Sequence, residues 1–330
     1  MDGQVFVYYI SGHGFGHATR SGQLAVSILE QNLTSQADID PVMVQPLAYT
    51  VDRESSVQTA SKFLETREEL IMHESQWLKS IGATCVLIDS PSAPCAAAHR
   101  AGVPSVIISN FTFDEIYYGL KNGDLLEPQL HRIAETFESD YRKARLLVRT
   151  PGFIRIPSFE ECAVYPLTEH PSEQERGRVI LDAPMYFREH RREKFETLDD
   201  LKIPRNVSEN SKILLFSFGG QALSEHEWTD VLPPGWICIV VNGPLILPPS
   251  FYAASRETYV PDLVHASDVV LGKLGYGTIS ECIGHSKPMI YVPRIDFIEE
   301  EGLLTMMRDQ GSCKELSIEK FEKGDWQVTT

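Results

Sequence analysis

Short apolar runs alternate with longer amphipathic stretches along the first half of the chain. Val5 to Ile10 is an apolar run that ends in a glycine-rich turn, and Ala18 to Glu30 follows it with helical spacing. The order then recurs, with predicted strands at 42–44, 84–88 and 105–108 and predicted helices at 55–80 and 92–101. These apolar runs lack polar alternation, which is typical of parallel strands covered on both faces. The pattern predicts a doubly wound α/β domain.

The alternation restarts after a charged stretch at about 169–210, which we interpret as a linker. Beyond it, strands are predicted at 213–218, 237–241, 269–271 and 289–292, and helices at 278–285 and 300–309. Within the stretch, the run from His190 to Lys194 is interpreted as a solvated helix face. The sequence therefore predicts two Rossmann-like domains, residues 1–182 and residues 183–330, with ligands bound at the carboxyl ends of their strands.

Composition and charge narrow the expected partners. The 330 residues carry a net charge of −16, which repels phosphate backbones and anionic headgroups, so neither nucleic acid nor a membrane surface is an expected partner. The N-terminal residues do not resemble a signal peptide, and no stretch reaches 18 apolar residues. The six cysteines are scattered without metal-ligand spacing, which favours buried free thiols in a reducing compartment. We expect a cytoplasmic globular protein without a membrane span.

The turn after the first strand, Ser11 to Arg20, combines glycines with two histidines. Glycines at alternate positions, among them Gly14 and Gly16, let the backbone turn tightly and approach a ligand. A histidine there can act as a general base on an acceptor hydroxyl, with His17 the first candidate and His13 the second. The spacing Gly-x-Gly-x-Gly differs from the dinucleotide fingerprint, which disfavours NAD binding. The alternative interpretation is a tight turn with capping histidines.

A glycine-containing turn also follows the strand predicted at 213–218. Gly219, Gly220 and Gln221 form this turn, and its main-chain N–H groups could face a pyrophosphate. The signal is weak when taken alone. It gains weight because a second strand, glycine turn and helix start follow further along the chain.

That second turn runs from Lys273 through Gly275 and Gly277 to a predicted helix start. Gly277 and Thr278 lie where a helix N-terminus would bind a phosphate. Glu281, one turn into the helix, could accept hydrogen bonds from two ribose hydroxyls. The alternative is that Thr278 and Glu281 form only a Thr-x-x-Glu capping box.

Six motifs in order along the chain carry a resemblance to a known family. They are Gly12 to Arg20, Asn110-Phe111, Arg149 to Gly152, Phe218 to Gln221, Leu232 to Trp236 and Leu271 to Thr278. Together they resemble the N-terminal glycosyltransferase-like region of the plant L-arabinokinases and relatives, which is similar to GT-B glycosyltransferases. The resemblance implies an α/β fold of GT-B type, with an acceptor domain at 1–182 and a nucleotide-sugar donor domain at 183–330 facing a cleft. The kinase half of those proteins is absent, so sugar-kinase activity is not expected.

A looser resemblance links the second domain to the donor-binding motif of plant UDP-glucosyltransferases. Lys273 falls where that motif has a phosphate-binding histidine, and Gly275 falls on its glycine. Thr278 falls on its serine and Glu281 on its ribose-binding glutamate. The acidic-Gln pair that holds the donor sugar has no direct match, although Asp296 and Glu300 lie in that neighbourhood.

The GT-B resemblance implies three further features of the chain. Tyr259 precedes a short helix where GT-B proteins contact the base with main-chain groups, although a simple capped turn is equally compatible. Asp114, or Asp89, could orient a turn histidine as an aspartate fixes a histidine tautomer, or could act only as a helix cap. The chain stops soon after Trp326, where GT-B proteins continue into a helix, so the donor domain is expected to be short or truncated.

The residues and the resemblance together predict a metal-independent glycosyltransferase. Its donor substrate would be a nucleoside-diphosphate sugar, UDP-linked, with no permanently bound cofactor, because GT-B enzymes offset leaving-group charge with helix dipoles and main-chain donors. The acceptor is unidentified, and the oligomeric state is not indicated. Two alternatives remain open: a catalytically silent nucleotide-sugar sensor or scaffold, and a nucleotide-sugar epimerase on the same fold.

Overall fold

The chain divides into two compact units, each built on a parallel sheet. A computed structural model describes residues 4–11, 43–121, 126–168, 177–219, 231–241, 247–255 and 257–326. Unit 1 comprises residues 1–44, 51–185 and 296–302, and unit 2 comprises residues 45–50, 186–295 and 303–330. The prediction of an α/β fold with two Rossmann-like sheets is confirmed.

Unit 1 contains a six-stranded parallel sheet with the strand order β1-β2-β3-β4-β6-β5. Its strands are β1 (Phe6–Ile10), β2 (Cys85–Asp89), β3 (Ser105–Ser109), β4 (Leu146–Arg149), β5 (Ala163–Pro166) and β6 (Val179–Asp182). Its described helices are α1 (Arg53–Ser80), α2 (Ala93–Ala101), α3 (Phe113–Gly119) and α4 (Pro128–Tyr141). The central strands bury Val86, Ile107 and Leu147 completely, and the same core includes the alanine-rich helix α2. Burial alternates between full and partial along β3, so one face of this strand is more completely covered than the other.

Unit 2 contains a second parallel sheet, with the strand order β12-β11-β10-β7-β8-β9. Its strands are β7 (Lys212–Ser217), β8 (Trp236–Val241), β9 (Phe251–Ala254), β10 (Val269–Gly272), β11 (Met289–Tyr291) and β12 (Cys313–Glu315). The helices are α5 (Lys194–Asp200), α6 (Arg205–Ser208), α7 (Val260–Ala266), α8 (Tyr276–Gly284), α9 (Glu299–Gln310, which begins in unit 1) and α10 (Ile318–Glu322). Successive strands run outward from β7 in one direction and from β10 in the other. The sheet therefore has a topological switch point between β7 and β10.

Each unit also includes a short segment that is distant in sequence from the rest of it. Residues 45–50 belong to unit 2, where the Tyr49 hydroxyl donates a hydrogen bond to a Glu322 carboxylate oxygen at 3.0 Å. Residues 296–302 belong to unit 1, where the Asn110 side-chain amide donates to the buried Glu299 carboxylate at 3.1 Å. The chain consequently passes between the two units five times.

Most predicted elements are confirmed to within about two residues, and the exceptions are informative. Met43 and Val44 are not in a strand, and the helix predicted from Ala18 to Glu30 lies outside the described residues. The charged stretch is not a bare linker, because its described part contributes β6 to one sheet and helices α5 and α6 to the other unit. Five short strands were missed: β4, β5 and β6 in unit 1, and β9 and β12 in unit 2.

Two expectations about composition can be compared with the structure. No helix among the described residues combines the length and the apolar character needed to cross a bilayer. All six cysteines fall within the described ranges and are free thiols. Cys95, Cys238 and Cys282 are buried, as expected, whereas the other three are only half-buried.

Candidate functional site

The carboxyl ends of β7 and β10 lie side by side at the switch point of unit 2. Ser217 and Gly272 are register partners at these ends. A Cβ atom on Gly272 would overlap the main-chain carbonyl of Ser217, so the close approach of the two strands requires glycine. In doubly wound sheets, ligands bind in the crevice outside such strand ends. The crevice beside β7 and β10 is therefore the candidate site of unit 2.

Two predicted phosphate-binding residues come together at this crevice. Gly219 adopts a left-handed conformation with φ of +67°, and its Cβ position would lie 3.6 Å from Cε of Lys273. Lys273 is half-buried and directly follows β10. A glycine turn and an ammonium group at one place provide main-chain donors and a positive charge, which suit a diphosphate. Gly220 and Gln221, predicted for the same turn, lie outside the described residues.

Helix α8 begins beside this pair. Gly275 is its N-cap residue in an extended conformation, and the Ile279 N–H donates to the Gly275 carbonyl at 3.0 Å. A Cβ atom on Gly275 or Gly277 would meet no described atom within 4 Å, so space is open there. First-turn N–H groups of a helix have no intrahelical acceptor and carry a partial positive charge. The capping-box alternative is wrong, because Thr278 is the third helical residue and not the N-cap.

Glu281, predicted to bind ribose, forms a buried ion pair with Arg188. Glu281 is only 3% exposed, and Nε and Nη2 of Arg188 both lie 2.6 Å from its Oε1 atom. Burial raises the pKa of Glu281 from its ordinary value, while the arginine opposes that shift. Sequence reasoning missed Arg188 because it lies in the stretch interpreted as a linker and belongs to no motif.

Tyr259 lies near the same arginine. It is the N-cap residue of α7, and its hydroxyl donates to the Glu189 carbonyl at 3.1 Å. The Arg191 guanidinium lies 3.9 Å from the Tyr259 ring centroid, and that of Arg188 lies 5.4 Å away. Residues 188–191 therefore contact both Tyr259 and Glu281.

A second arginine that the sequence did not reveal lies near the crevice. Arg294 follows β11 and is 7% exposed, and its Nη2 donates to the Leu274 carbonyl at 2.6 Å. This hydrogen bond ties the turn after β11 to the turn after β10. It also places the Arg294 guanidinium beside the main chain of Leu274, the residue that follows Lys273.

Asp114 lies in the first turn of α3 in unit 1 and is completely buried. Its Oδ1 accepts the Glu115 N–H at 2.8 Å, a cap-like contact, whereas Oδ2 has no hydrogen-bond partner among the described residues. Burial raises the pKa of Asp114 to about 7. The histidines predicted to meet it, His13 and His17, lie outside the described residues, as do Gly14 and Gly16. The pairing therefore stays a prediction.

The acidic residues considered for the donor sugar belong to unit 1, whereas Lys273 and Gly275 belong to unit 2. Asp296 is exposed and adopts a left-handed conformation with φ of +60°. Glu300 is buried in the first turn of α9. A role for either residue in sugar selection stays a prediction.

The chain is similar to known proteins in sequence and in structure. No protein-family model matches the chain. It is 32% identical over 340 residues to L-arabinokinase of Arabidopsis thaliana, covering 94% of this chain and 30% of that protein's length. The crystal structure of the calicheamicin glycosyltransferase CalG4 aligns with a TM-score of 0.55 at 15% identity, covering 98% of this chain and 88% of that one.

A second solved structure also aligns along nearly the whole chain. A transferase from Siraitia grosvenorii in complex with UDP aligns with a TM-score of 0.55 at 12% identity, covering 97% of this chain and 90% of that one. The resemblance drawn from the six motifs is confirmed. The sequence is similar to part of a plant L-arabinokinase, and the chain has the two-sheet α/β fold of the GT-B glycosyltransferases.

Proposed function

We propose that this protein is a glycosyltransferase that moves a sugar from a UDP-linked donor to an acceptor hydroxyl. The observation that carries the proposal is the convergence of Gly219, Lys273 and the start of α8 at the switch point of unit 2. These groups suit the diphosphate of a nucleotide sugar. The similarity in fold to a transferase complexed with UDP supports the same ligand class.

The donor would be held along the crevice of unit 2. Lys273 and the first-turn N–H groups of α8 would stabilise the negative charge that develops on the leaving diphosphate, so this step needs no metal ion. The ribose would meet Glu281, and the base would lie beside the main chain near Tyr259. In this proposal Arg188 orients the Glu281 carboxylate through its Oε1 atom, which leaves the second oxygen for a ribose hydroxyl.

The chemical step would use a histidine from the first turn. His17, or His13 in second place, takes the proton from the acceptor hydroxyl as its oxygen bonds to the anomeric carbon. The bond from that carbon to the diphosphate breaks, and its electron pair leaves with UDP. Asp114 would face the resulting imidazolium, because its buried Oδ2 has no hydrogen-bond partner among the described residues and would be stabilised by a nearby positive charge.

The decisive experiment measures UDP release from a panel of UDP-sugars, in the presence and absence of candidate acceptors. A thermal-shift series with nucleotides identifies the donor first, because a ligand at 100 times its Kd adds about 2.7 kcal/mol of stability. We expect UDP to stabilise the protein and an acceptor to stimulate its release from the donor. Phosphorylation of L-arabinose is measured alongside, because the similar plant protein is an arabinokinase. Absence of any nucleotide effect would contradict the proposal.

A catalytically silent nucleotide-sugar sensor is the second candidate. One observation favours it: the carboxylate proposed for ribose already pairs with Arg188 in a buried position. A sensor would bind a UDP-sugar without releasing UDP, and an epimerase would convert the sugar without any acceptor. Chromatography of the nucleotide sugars after incubation separates these two outcomes from transfer.

A further inference from the structure

Three histidines from distant parts of the sequence meet within unit 2. His190 precedes α5, His265 lies in the last turn of α7, and His285 is the C-cap residue of α8. One ring nitrogen of each lies within 4.8 Å of the other two. All three side chains are half-buried, so a small ion could reach them from solvent.

Two of the three rings lie close together beside a carboxylate. The rings of His190 and His265 are parallel with centroids 3.6 Å apart, and their Nε2 atoms lie 3.7 and 3.6 Å from the two carboxylate oxygens of Glu193. These N···O distances are longer than those of ordinary hydrogen bonds. They are close to the separation of about 3.3 Å between neighbouring ligand atoms around a tetrahedral metal ion.

His285 has a main-chain partner that fixes its orientation. Its Nε2 lies 3.0 Å from the Arg188 carbonyl oxygen. When Nε2–H donates to that oxygen, the lone pair is on Nδ1. Metal-binding histidines usually make this second contact, which sets the tautomer and orients the ring.

Two helix ends and one carboxylate favour a cation here, whereas the nearby Lys287 ammonium opposes it. His265 and His285 lie at the C-terminal ends of helices, where main-chain carbonyls carry partial negative charge. Glu193 adds a carboxylate, while the Lys287 ammonium is held on the Ser267 carbonyl at 2.8 Å.

We propose that His190, His265 and His285 bind a divalent transition-metal ion of the zinc class. Three imidazoles suit zinc and its neighbours, and Glu193 or water completes the shell. The ring nitrogens must approach one another by about 1–1.5 Å to reach ligand distances near 2.0–2.1 Å, so the two stacked rings must rotate apart. The ion would join residues 188–193 to the C-terminal ends of α7 and α8. This role does not depend on the proposed glycosyl transfer.

The test uses the full chain after removal of metals with a chelator. We expect one equivalent of Zn²⁺ to bind in calorimetry, and one equivalent of Co²⁺ to give the intense visible bands of a tetrahedral site. Substituting His190→Ala or His265→Ala should lower Zn²⁺ affinity by about 100-fold or more, since loss of even an outer contact costs about 10- to 100-fold. His73→Ala, which removes an exposed histidine from α1, is the matched control and should bind as the unmodified protein does.

Several results would overturn the proposal. An unmodified protein without a saturable Zn²⁺ site contradicts it directly, whether or not the variants fold. Equal affinity in His265→Ala and His73→Ala also contradicts it, provided that circular dichroism shows both variants folded. A thiolate charge-transfer band in the Co²⁺ spectrum would assign the ion to cysteines instead.

Discussion

The buried pair between Glu281 and Arg188 gives the sharpest quantitative prediction. Glu281→Ala removes the carboxylate and leaves the Arg188 side chain, which is only 19% exposed, without its partner. Breaking a buried ion pair by removing one partner costs about 3–5 kcal/mol in the free energy of unfolding. We expect the lower end, about 3 kcal/mol, because Arg188 keeps part of its surface in water.

The neutral variant Glu281→Gln should behave differently. Burial raises the pKa of Glu281, so the folded state holds a proton on this group more tightly than the unfolded state does. The contribution of this bound proton to the free energy of unfolding is fully present below the ordinary glutamate pKa. It is lost as the pH rises through the raised pKa of Glu281 in the folded state. Glutamine resembles the protonated form and keeps an oxygen that accepts from Arg188. We therefore expect Glu281→Gln to lie within about 1 kcal/mol of the unmodified protein at pH 7.

Urea denaturation followed by circular dichroism measures both variants, with the exposed Glu257→Ala as a control that should change stability by less than about 0.5 kcal/mol. If Glu281→Gln destabilises the protein as much as Glu281→Ala, the charge itself is stabilising and the reasoning fails. Calorimetry with UDP addresses function separately. Glu281→Ala should weaken UDP binding by about 1–3 kcal/mol if the carboxylate contacts ribose. Unchanged UDP affinity in the folded variant would exclude Glu281 from the site.

Three further predictions address the remaining site residues. Because burial raises the pKa of Asp114 to about 7, its contribution to stability is lost as the pH rises from about 4 to 7. In urea denaturation, Asp114→Asn should therefore gain about 4 kcal/mol relative to the unmodified protein between pH 4 and pH 8, and a flat difference would contradict this. Lys273→Ala should weaken UDP binding by about 1.5–3 kcal/mol and uridine binding little in calorimetry, while the exposed Lys314→Ala changes neither. Equal losses for UDP and uridine would remove Lys273 from the diphosphate. His17→Ala should lower the rate of UDP release in the transferase assay by about 100-fold or more with UDP affinity kept, and His13→Ala should lower it less. The reverse order would assign the base to His13.

Apolar runs predicted β1, β2 and β3 in unit 1 and β7, β8, β10 and β11 in unit 2, whereas β4 and β6, which lie inside the first sheet, were missed. Buried parallel strands such as β3 and β10 form continuous apolar runs, which few other elements resemble. The edge strands β9 and β12 are only four and three residues long, and β12 contains Lys314 and Glu315. Strands of three or four residues are too short to show a distinctive period, so the sequence did not reveal them.

The site was predicted only where its residues lie next to one another in sequence. Gly219 and Lys273 were found because each follows a predicted strand, and strand topology brought them together. Arg188 contacts Glu281 across 93 residues of sequence. His190 and His265 likewise stack although they are 75 residues apart in the sequence. Contacts of this kind depend on tertiary packing, and a single sequence carries no local signal for them.

The segment at 296–302 affects how the protein can fold during synthesis. Unit 1 contains the hydrogen bond between Asn110 and Glu299, whose partners are 189 residues apart. A ribosome adds about 5–20 residues per second, so Glu299 is made about 10–40 s after Asn110. This bond cannot form in that interval, although nearly all of unit 1 has been translated. The N-terminal unit therefore reaches its final structure only after most of the C-terminal unit has been synthesised.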